Sequence, residues 1–171
     1  GKRVGAVCMD PAQLDQILTN LCVNARDAIQ SRGDKRQIVI ETDRRALTEG
    51  DAGVAEVASP GAYAVLRVSD TGCGMDSGTL ERLFEPFFTT KVLGRGTGLG
   101  LSTVHGIVSQ NGGQIEVRSE PGQGTTFEIL LPCHEAAAAS REAQDRSVAE
   151  PRGGERVLLV EDEPSVLKVT S

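Results

Sequence analysis

Glycines at every second position immediately before a helical pattern constrain this chain more than any other feature. They are Gly94, Gly96, Gly98 and Gly100. A regular helix or strand is not expected there, because glycine loses more backbone freedom on ordering than any other residue. The segment is predicted to be a loop that opens onto a helix N-terminus, where bare N–H groups favour an anion such as phosphate. A flexible loop without a ligand is the alternative, and the absence of GKS or GKT excludes a Walker loop.

Hydrophobic patterns predict helices and strands within one domain. Asp10 is expected to cap the first helix, Gly33 to end it, and Asp76 to cap the short one. The predicted order is helix 11–29, strand 37–47, strand 62–69, short helix 76–84, loop 85–100, helix 99–111, strand 114–119 and strand 125–131. This order predicts an α/β (α+β) two-layer sandwich, with a mixed β-sheet covered on one face by helices.

Composition excludes several classes of protein. The 171 residues predict one domain, with room for a fragment of another. Acidic residues outnumber scattered basic ones by 24 to 18, and aromatic residues make up 3%, so nucleic-acid binding is not expected. No apolar run approaches the roughly 20 residues of a membrane span, and no signal peptide is recognised. Four separated cysteines predict reduced thiols in a cytoplasmic protein, with neither a disulfide framework nor a zinc site.

Two asparagines lie one helical turn apart in the first predicted helix. Asn20 and Asn24 share a face beside the apolar stripe. Asparagine has a low propensity for the middle of a helix, so two asparagines on one face need an explanation beyond helix formation. A carboxamide oxygen is a hard, neutral ligand that can complete the octahedron of Mg²⁺ when phosphate oxygens and water supply the rest. An exposed polar helix face is the alternative interpretation.

An acidic turn follows the second predicted strand. It reads Asp70-Thr71-Gly72-Cys73-Gly74. The carboxylate can accept a hydrogen bond from the exocyclic amino group of adenine, and the glycines let the backbone approach a purine where a Cβ would collide. An ordinary turn, which also favours Asp and Gly, is the alternative.

In combination, these motifs resemble the ATP-binding catalytic domain of sensor histidine kinases, in the GHKL superfamily. Five motifs of that family occur in order between residues 10 and 132. They are Asn20–Ala25, Asp70–Gly74, Leu83–Lys91, Gly96–Leu101 and Gly124–Phe127. The resemblance implies the Bergerat ATP-binding fold in a domain that spans residues 1–133.

The resemblance also implies roles for individual residues. Asn24 would coordinate Mg²⁺, Asn20 would lie near the phosphates, and these two form the catalytic pair. Asp70 would bind the adenine amino group, with Thr125 supporting that contact through water. Phe84 and Phe87 would anchor a lid, while Lys91 would reach the phosphate tail. The implied nucleotide-binding set is Asn24, Asp27, Asp70, Gly72, Gly74, Phe84, Phe87, Lys91, Gly96, Thr97, Gly98, Leu99, Gly100, Leu101 and Thr125.

The composition changes after Pro132. Residues 134–155 are rich in alanine and charged residues and are predicted to be a linker. Residues 156–171 begin with a strand-like apolar run that leads into Glu161 and Asp162. This segment resembles the start of a response-regulator receiver domain, where the two acids would form part of an incomplete Mg²⁺ site. The resemblance therefore implies a hybrid kinase.

The implied function is transfer of the γ-phosphate of ATP to a histidine on a separate dimerisation domain of the same parent protein, a homodimer, and then to a receiver aspartate. His105 and His134 lack the acidic partner of an acceptor motif and are interpreted as structural or surface residues. The alternative is an ATP-hydrolysing clamp of the chaperone or topoisomerase kind. Such relatives carry a glutamate general base where this chain has Asn20, and a carboxamide cannot abstract a proton. A degenerate nucleotide-binding scaffold ranks last because all five motifs are intact.

Overall fold

The structure, a computed structural model, describes residues 5–30, 37–48, 60–91 and 96–134. Gly33, most of the predicted linker, and the segment with Glu161 and Asp162 lie outside the described residues. The elements are α1 (Pro11–Gln30), β1 (Ile38–Leu47), β2 (Gly61–Asp70), α2 (Ser77–Arg82), α3 (Gly100–Gln110), β3 (Gln114–Glu120) and β4 (Gly124–Pro132). None of the described helices combines the length and apolar character that a bilayer span requires.

Two aspartates start helices as the sequence predicts. Asp10 accepts a hydrogen bond from the backbone N–H of Ala12 at 2.9 Å, and Pro11 occupies the first turn of α1, where its missing N–H is not needed. Asp76 caps α2 by accepting the N–H of Thr79 at 2.7 Å. A cap of this kind stabilises a helix by about 1 kcal/mol. Both expected helix starts are therefore confirmed.

The four described strands form one sheet in the order β1-β2-β4-β3. Every pairing in it is antiparallel. The expected two-layer architecture is confirmed, but the expectation of a mixed sheet is wrong. β2 and β3 run in the same direction on either side of α3, yet β4 lies between them and pairs with both. Because β4 separates them, β2 and β3 do not pair with each other, and each forms an antiparallel ladder with β4.

The main core lies between the helices and one face of this sheet. The buried face of α1 presents Ile17 and Leu21, which meet Val104 of α3 and Ile129 of β4. Because α1 and α3 run antiparallel, Gln13 near the start of α1 accepts a hydrogen bond from the side chain of Asn111, just after α3, at 3.0 Å. The C-terminal half of α1 consequently reaches the N-terminus of α3 and the end of β2.

The opposite face of the sheet carries a half-buried ionic cluster. Glu128 of β4 is buried and accepts hydrogen bonds from the Arg67 guanidinium, and Arg45 lies 2.9 Å from its other oxygen. Burial alone would raise the pKa of Glu128, but the hydrogen bonds and charges of the two arginines outweigh it and lower that pKa. This face is separate from the cavity described next.

Candidate functional site

A cavity of about 500 Å³ lies where the second half of α1 meets the end of β2 and the start of α3. Most of the site residues predicted from the sequence line it. They are Asn20, Asn24, Asp27, Asp70, Gly74, Lys91, Gly96, Thr97, Gly98, Gly100, Leu101 and Thr125. Four others, Gly72, Phe84, Phe87 and Leu99, do not line it. The volume is within the usual range for a pocket that binds a small molecule.

One end of the cavity holds a cluster of charged and amide groups. Lys91 Nζ donates hydrogen bonds to Asp27 Oδ2 at 2.7 Å and to Asn24 Oδ1 at 3.2 Å. Arg26 donates to the other oxygen of Asp27 at 2.9 Å. The hydrogen bond from Lys91, followed by that from Arg26, lowers the pKa of Asp27. The sequence analysis named all three residues as nucleotide-binding but did not predict that Lys91 joins Asn24 to Asp27.

The N-terminus of α3 opens on the same end of the cavity. Its N-cap residue, Leu99, makes no side-chain capping hydrogen bond. Gly100 lies so close to Asn20 that an added Cβ would stand 3.0 Å from Asn20 Oδ1, and a Cβ on Gly98, where φ is +67°, would stand 2.3 Å from the carbonyl carbon of Phe87. Glycine therefore permits the close approach, and the helix dipole favours an anion at this end.

The other end of the cavity is built around Asp70. Its Oδ1 accepts the backbone N–H of Gly72 at 2.7 Å, and its carboxyl also accepts the N–H of Thr125 on the neighbouring strand. Burial raises the pKa of Asp70, and these two hydrogen bonds oppose the shift only in part. Gly72 thus contributes by orienting Asp70 rather than by lining the cavity. Gly74 has a φ of +67°, and a Cβ there would stand 1.9 Å from the carbonyl oxygen of Glu120.

Apolar side chains form the walls between the two ends, and the sequence analysis did not identify them as site residues. They are Val23, Ala25, Ala28, Met75, Leu83 and Phe127. Alanine, leucine and phenylalanine in periodic segments are indistinguishable from core residues in sequence alone. Only Met75, which directly follows the acidic turn, had a position that could have signalled contact with a flat ring. Together these walls suit an aromatic ligand whose polar groups face the two ends.

The two expected lid anchors behave differently. Phe84 packs against the core, and its ring centroid lies 4.9 Å from that of His105. Phe87 is 72% exposed, and its role as a lid anchor stays a prediction. Its left-handed backbone, with φ of +67°, turns the ring outward, while its N–H donates to the carbonyl oxygen of Gly98 at 2.9 Å. Phe87 therefore contacts the glycine segment through its backbone.

The cysteines and histidines contribute little to the cavity. All four cysteines are free thiols in the structure, and only Cys73 of them lines the cavity. The His105 ring packs against that of Phe84 at a tilt of 37°, and His134 donates its backbone N–H to the carbonyl oxygen of Ala6 at 2.9 Å. Within the described ranges, no group of three or more His, Cys, Asp or Glu residues could hold a metal ion.

The donor set nevertheless suits a metal that arrives with most of its own ligands. The oxygen of Asn24 already attracts a cation, since the Lys91 ammonium lies 3.2 Å from it. An amide oxygen is a hard ligand of the type that Mg²⁺ accepts, and Mg²⁺ usually keeps water and substrate phosphates as its remaining ligands. Asn24 is therefore the described residue best suited to hold such an ion.

Comparison with curated proteins gives consistent relatives. "Sensor kinase CckA" of Brucella abortus is 43% identical over 97% of this chain and 18% of its own length. "Sensor histidine kinase ZraS" of Escherichia coli K12 is 42% identical over 72% of this chain and 22% of its own length. The chain therefore spans about a fifth of the length of these relatives.

Solved structures share the fold. Full-length ShkA in complex with AMPPNP matches with a TM-score of 0.55 and 27% identity, over 75% of this chain and 23% of that one. The nucleotide-free catalytic domain of histidine kinase ThkA matches with a TM-score of 0.53 and 29% identity, over 74% of this chain and 70% of that one. Residues 9–135 match the family model described as histidine kinase-, DNA gyrase B- and HSP90-like ATPase. The chain belongs to this ATPase family.

Proposed function

We propose that this chain is the ATP-binding catalytic domain of a sensor histidine kinase. It would transfer the γ-phosphate of ATP to a histidine on a separate dimerisation domain of the same parent protein. The observation that carries the proposal is that one cavity has different chemistry at its two ends, with the Asp70 carboxylate at one end and Lys91 with the N-terminus of α3, which attract anions, at the other. Sensor kinases among the most similar relatives support it.

The carboxylates of the cavity favour a kinase over an ATP-hydrolysing clamp. Hydrolysis needs a base that takes a proton from water, and such a base works best with a pKa near the ambient pH. Asn20 is neutral and cannot serve. Of the two described carboxylates that line the cavity, Asp27 has a lowered pKa because Lys91 and Arg26 hold it, and Asp70 lies at the opposite end. A nucleophile from another domain fits this arrangement better than activated water.

In this proposal the residues of the chain bind and orient rather than react. The N-terminus of α3 would hold phosphate oxygens through its backbone N–H groups, and Asn20 would orient them from α1. Asn24 would hold Mg²⁺, and the bound ion would neutralise charge on the phosphates. Lys91 would then exchange its contacts with Asn24 and Asp27 for the phosphate tail. Positioning and electrostatics account for most of the catalysis in phosphoryl transfer.

The proposal extends to the remainder of the parent protein. Its partners would be the histidine-bearing dimerisation domain, within a homodimer, and a receiver domain that begins at residues 156–171 with Glu161 and Asp162 as acidic metal ligands. The similarity to CckA covers 97% of this chain, so it extends past residue 135, where the match to the family model ends. A cytoplasmic location agrees with the four free thiols. Binding of nucleic acid is not expected.

Phosphotransfer in trans tests this function. The chain is incubated with γ-labelled ATP and Mg²⁺, alone and with a histidine-bearing dimerisation domain, beside the same domain lacking its histidine. We expect acid-labile label on the intact dimerisation domain only. Asn24→Ala should retain nucleotide binding but lose about two orders of magnitude in transfer rate, the size of a lost preorganised electrostatic contact. Label on the chain alone, or parental transfer by Asn24→Ala, would contradict the proposal.

A further inference from the structure

A serine outside the five motifs joins the loop after β2 to the turn between β3 and β4. Ser119 Oγ lies 2.9 Å from the backbone N of Met75, 2.9 Å from the carbonyl oxygen of Gly124 and 2.9 Å from Thr125 Oγ1. Ser119 itself is half-buried at the end of β3, and Thr125 is buried at the start of β4. The serine therefore contacts both segments that build the Asp70 end of the cavity.

The protons of this network can be assigned from chemistry alone. A hydroxyl has one proton to donate and two lone pairs that accept. Ser119 accepts from the N–H of Met75, and it must donate to Gly124 because a carbonyl oxygen has no proton. Its only proton is then used, so Thr125 must be the donor in the contact between the two hydroxyls. Thr125 Oγ1 consequently has only lone pairs left for the cavity.

The same end of the cavity already presents another acceptor. Asp70 lines the cavity with its carboxylate, on the strand position opposite Thr125. Two acceptors side by side favour a ligand that brings a hydrogen-bond donor. A bridging water gives the same result, because both of its protons would point at Asp70 and Thr125 and leave its oxygen to face the ligand. In either case a 6-amino group suits the site and a 6-carbonyl oxygen does not.

We propose that Ser119 is a positioning residue that sets base specificity. It fixes the hydroxyl of Thr125 as an acceptor and thereby makes the site select a 6-aminopurine over a 6-oxopurine. The inference rests on the proposed nucleotide-binding function and adds to it a residue that acts on the ligand only through Thr125. Without Ser119, the hydroxyl of Thr125 would be free to rotate and could donate its proton to a 6-carbonyl group.

Competition binding with ADP and IDP tests this role in the full 171-residue chain. The two nucleotides differ only in their bases, so the ratio of their dissociation constants reports specificity independently of phosphates. We expect the parent to bind ADP more tightly than IDP. Ser119→Ala should lower the ratio of the two affinities about tenfold, which is the effect of gaining or losing one hydrogen bond to the base. Ser119→Cys, nearly the same size but a weak donor and acceptor, should lower it in the same direction. Ser119→Thr, which keeps the hydroxyl, should restore the parental preference.

A double-mutant cycle separates this role from a structural one. Thr125→Val should lower the preference by a similar factor, and adding Ser119→Ala should change it no further, because Ser119 would then have no hydroxyl to orient. Weakened binding of ADP and IDP by equal factors in the Ser119 variants would show that the serine only holds the loop. A further drop in the double variant would also overturn the inference. A parent chain that binds neither nucleotide would overturn the proposed function itself, and this inference with it.

Discussion

Replacement of Asp70 by asparagine should separate ligand recognition from stability. The N–H of Gly72 at 2.7 Å holds Oδ1, so the amide oxygen of the variant would keep that position and its NH₂ would replace the second oxygen. A donor then stands where the ligand needs an acceptor. Loss of a charge-assisted hydrogen bond costs about 1.5–3 kcal/mol, which corresponds to a roughly ten- to hundredfold weaker binding of ADP.

The same substitution should also change how the stability of the fold depends on pH. Burial raises the pKa of Asp70 above its ordinary value of 3.8, so folding disfavours its ionised form. The contribution of Asp70 to stability is therefore greatest below pH 3.8 and falls as the pH rises through the folded-state pKa. Asparagine does not ionise and avoids this loss. The stability of Asp70→Asn relative to the parent should consequently increase as the pH rises from below 3.8 to 7.

Two measurements check both halves of this prediction. Titration with ADP by calorimetry gives the affinity, and urea denaturation at pH 3.5 and pH 7 gives the free energy of unfolding of each protein, wherever the parent remains folded. Parental ADP affinity in a folded variant would show that Asp70 does not contact the base. A variant that loses stability relative to the parent as the pH rises would refute the argument from burial.

Three further substitutions test other parts of the structure. Gly106→Ala should raise the free energy of unfolding by about 0.5–1 kcal/mol, because in the interior of α3 the added Cβ would have no heavy atom within 4 Å apart from its chain neighbours and the backbone of its own helix; a lower urea midpoint would contradict this. Gly74→Ala should lower the melting temperature and weaken ADP binding, since φ is +67° and the Cβ would stand 1.9 Å from the carbonyl oxygen of Glu120; an unchanged melting temperature would refute it. Lys91→Met should raise the pKa of Asp27 towards its ordinary value, because the hydrogen bond from Lys91 is the largest cause of its lowering. Carboxyl NMR would detect this, and an unchanged titration would show that the pair is absent in solution.

Local features of the fold could be predicted from the sequence. The caps at Asp10 and Asp76 depend on side chains that bond to backbone N–H groups two or three residues away, so position in the chain is enough to identify them. The apolar face of α1 follows from helical spacing alone. The order of strands does not, because β4 pairs with β2 across more than 50 intervening residues, as in Asp70 opposite Thr125. The expected mixed sheet was wrong for this reason.

The features of the candidate site also fall into two groups, those that a local motif identifies and those that depend on contacts between distant residues. The glycine segment, Asn20, Asn24 and Asp70 were found because each lies in a motif with a recognisable composition. The hydrogen bond from Lys91 to Asp27 spans 64 positions, and that of Ser119 with Met75 spans 44. Neither contact leaves a periodic or compositional trace. The exposed position of the Phe87 ring was not predicted either, because a left-handed backbone is uncommon for any residue but glycine.

The central place of β4 has a consequence for biosynthesis. This strand is the last of the described elements to be made, yet it fills the gap between β2 and β3. Until β4 emerges from the ribosome, the edges of β2 and β3 that later pair with it stay unpaired. The sheet is then incomplete, and its apolar face is not fully covered. Dependence on such distant contacts slows folding, and exposed strand edges promote aggregation. A nascent chain paused before residue 124 is therefore the form most in need of a chaperone, and the cavity forms only once synthesis has passed β4.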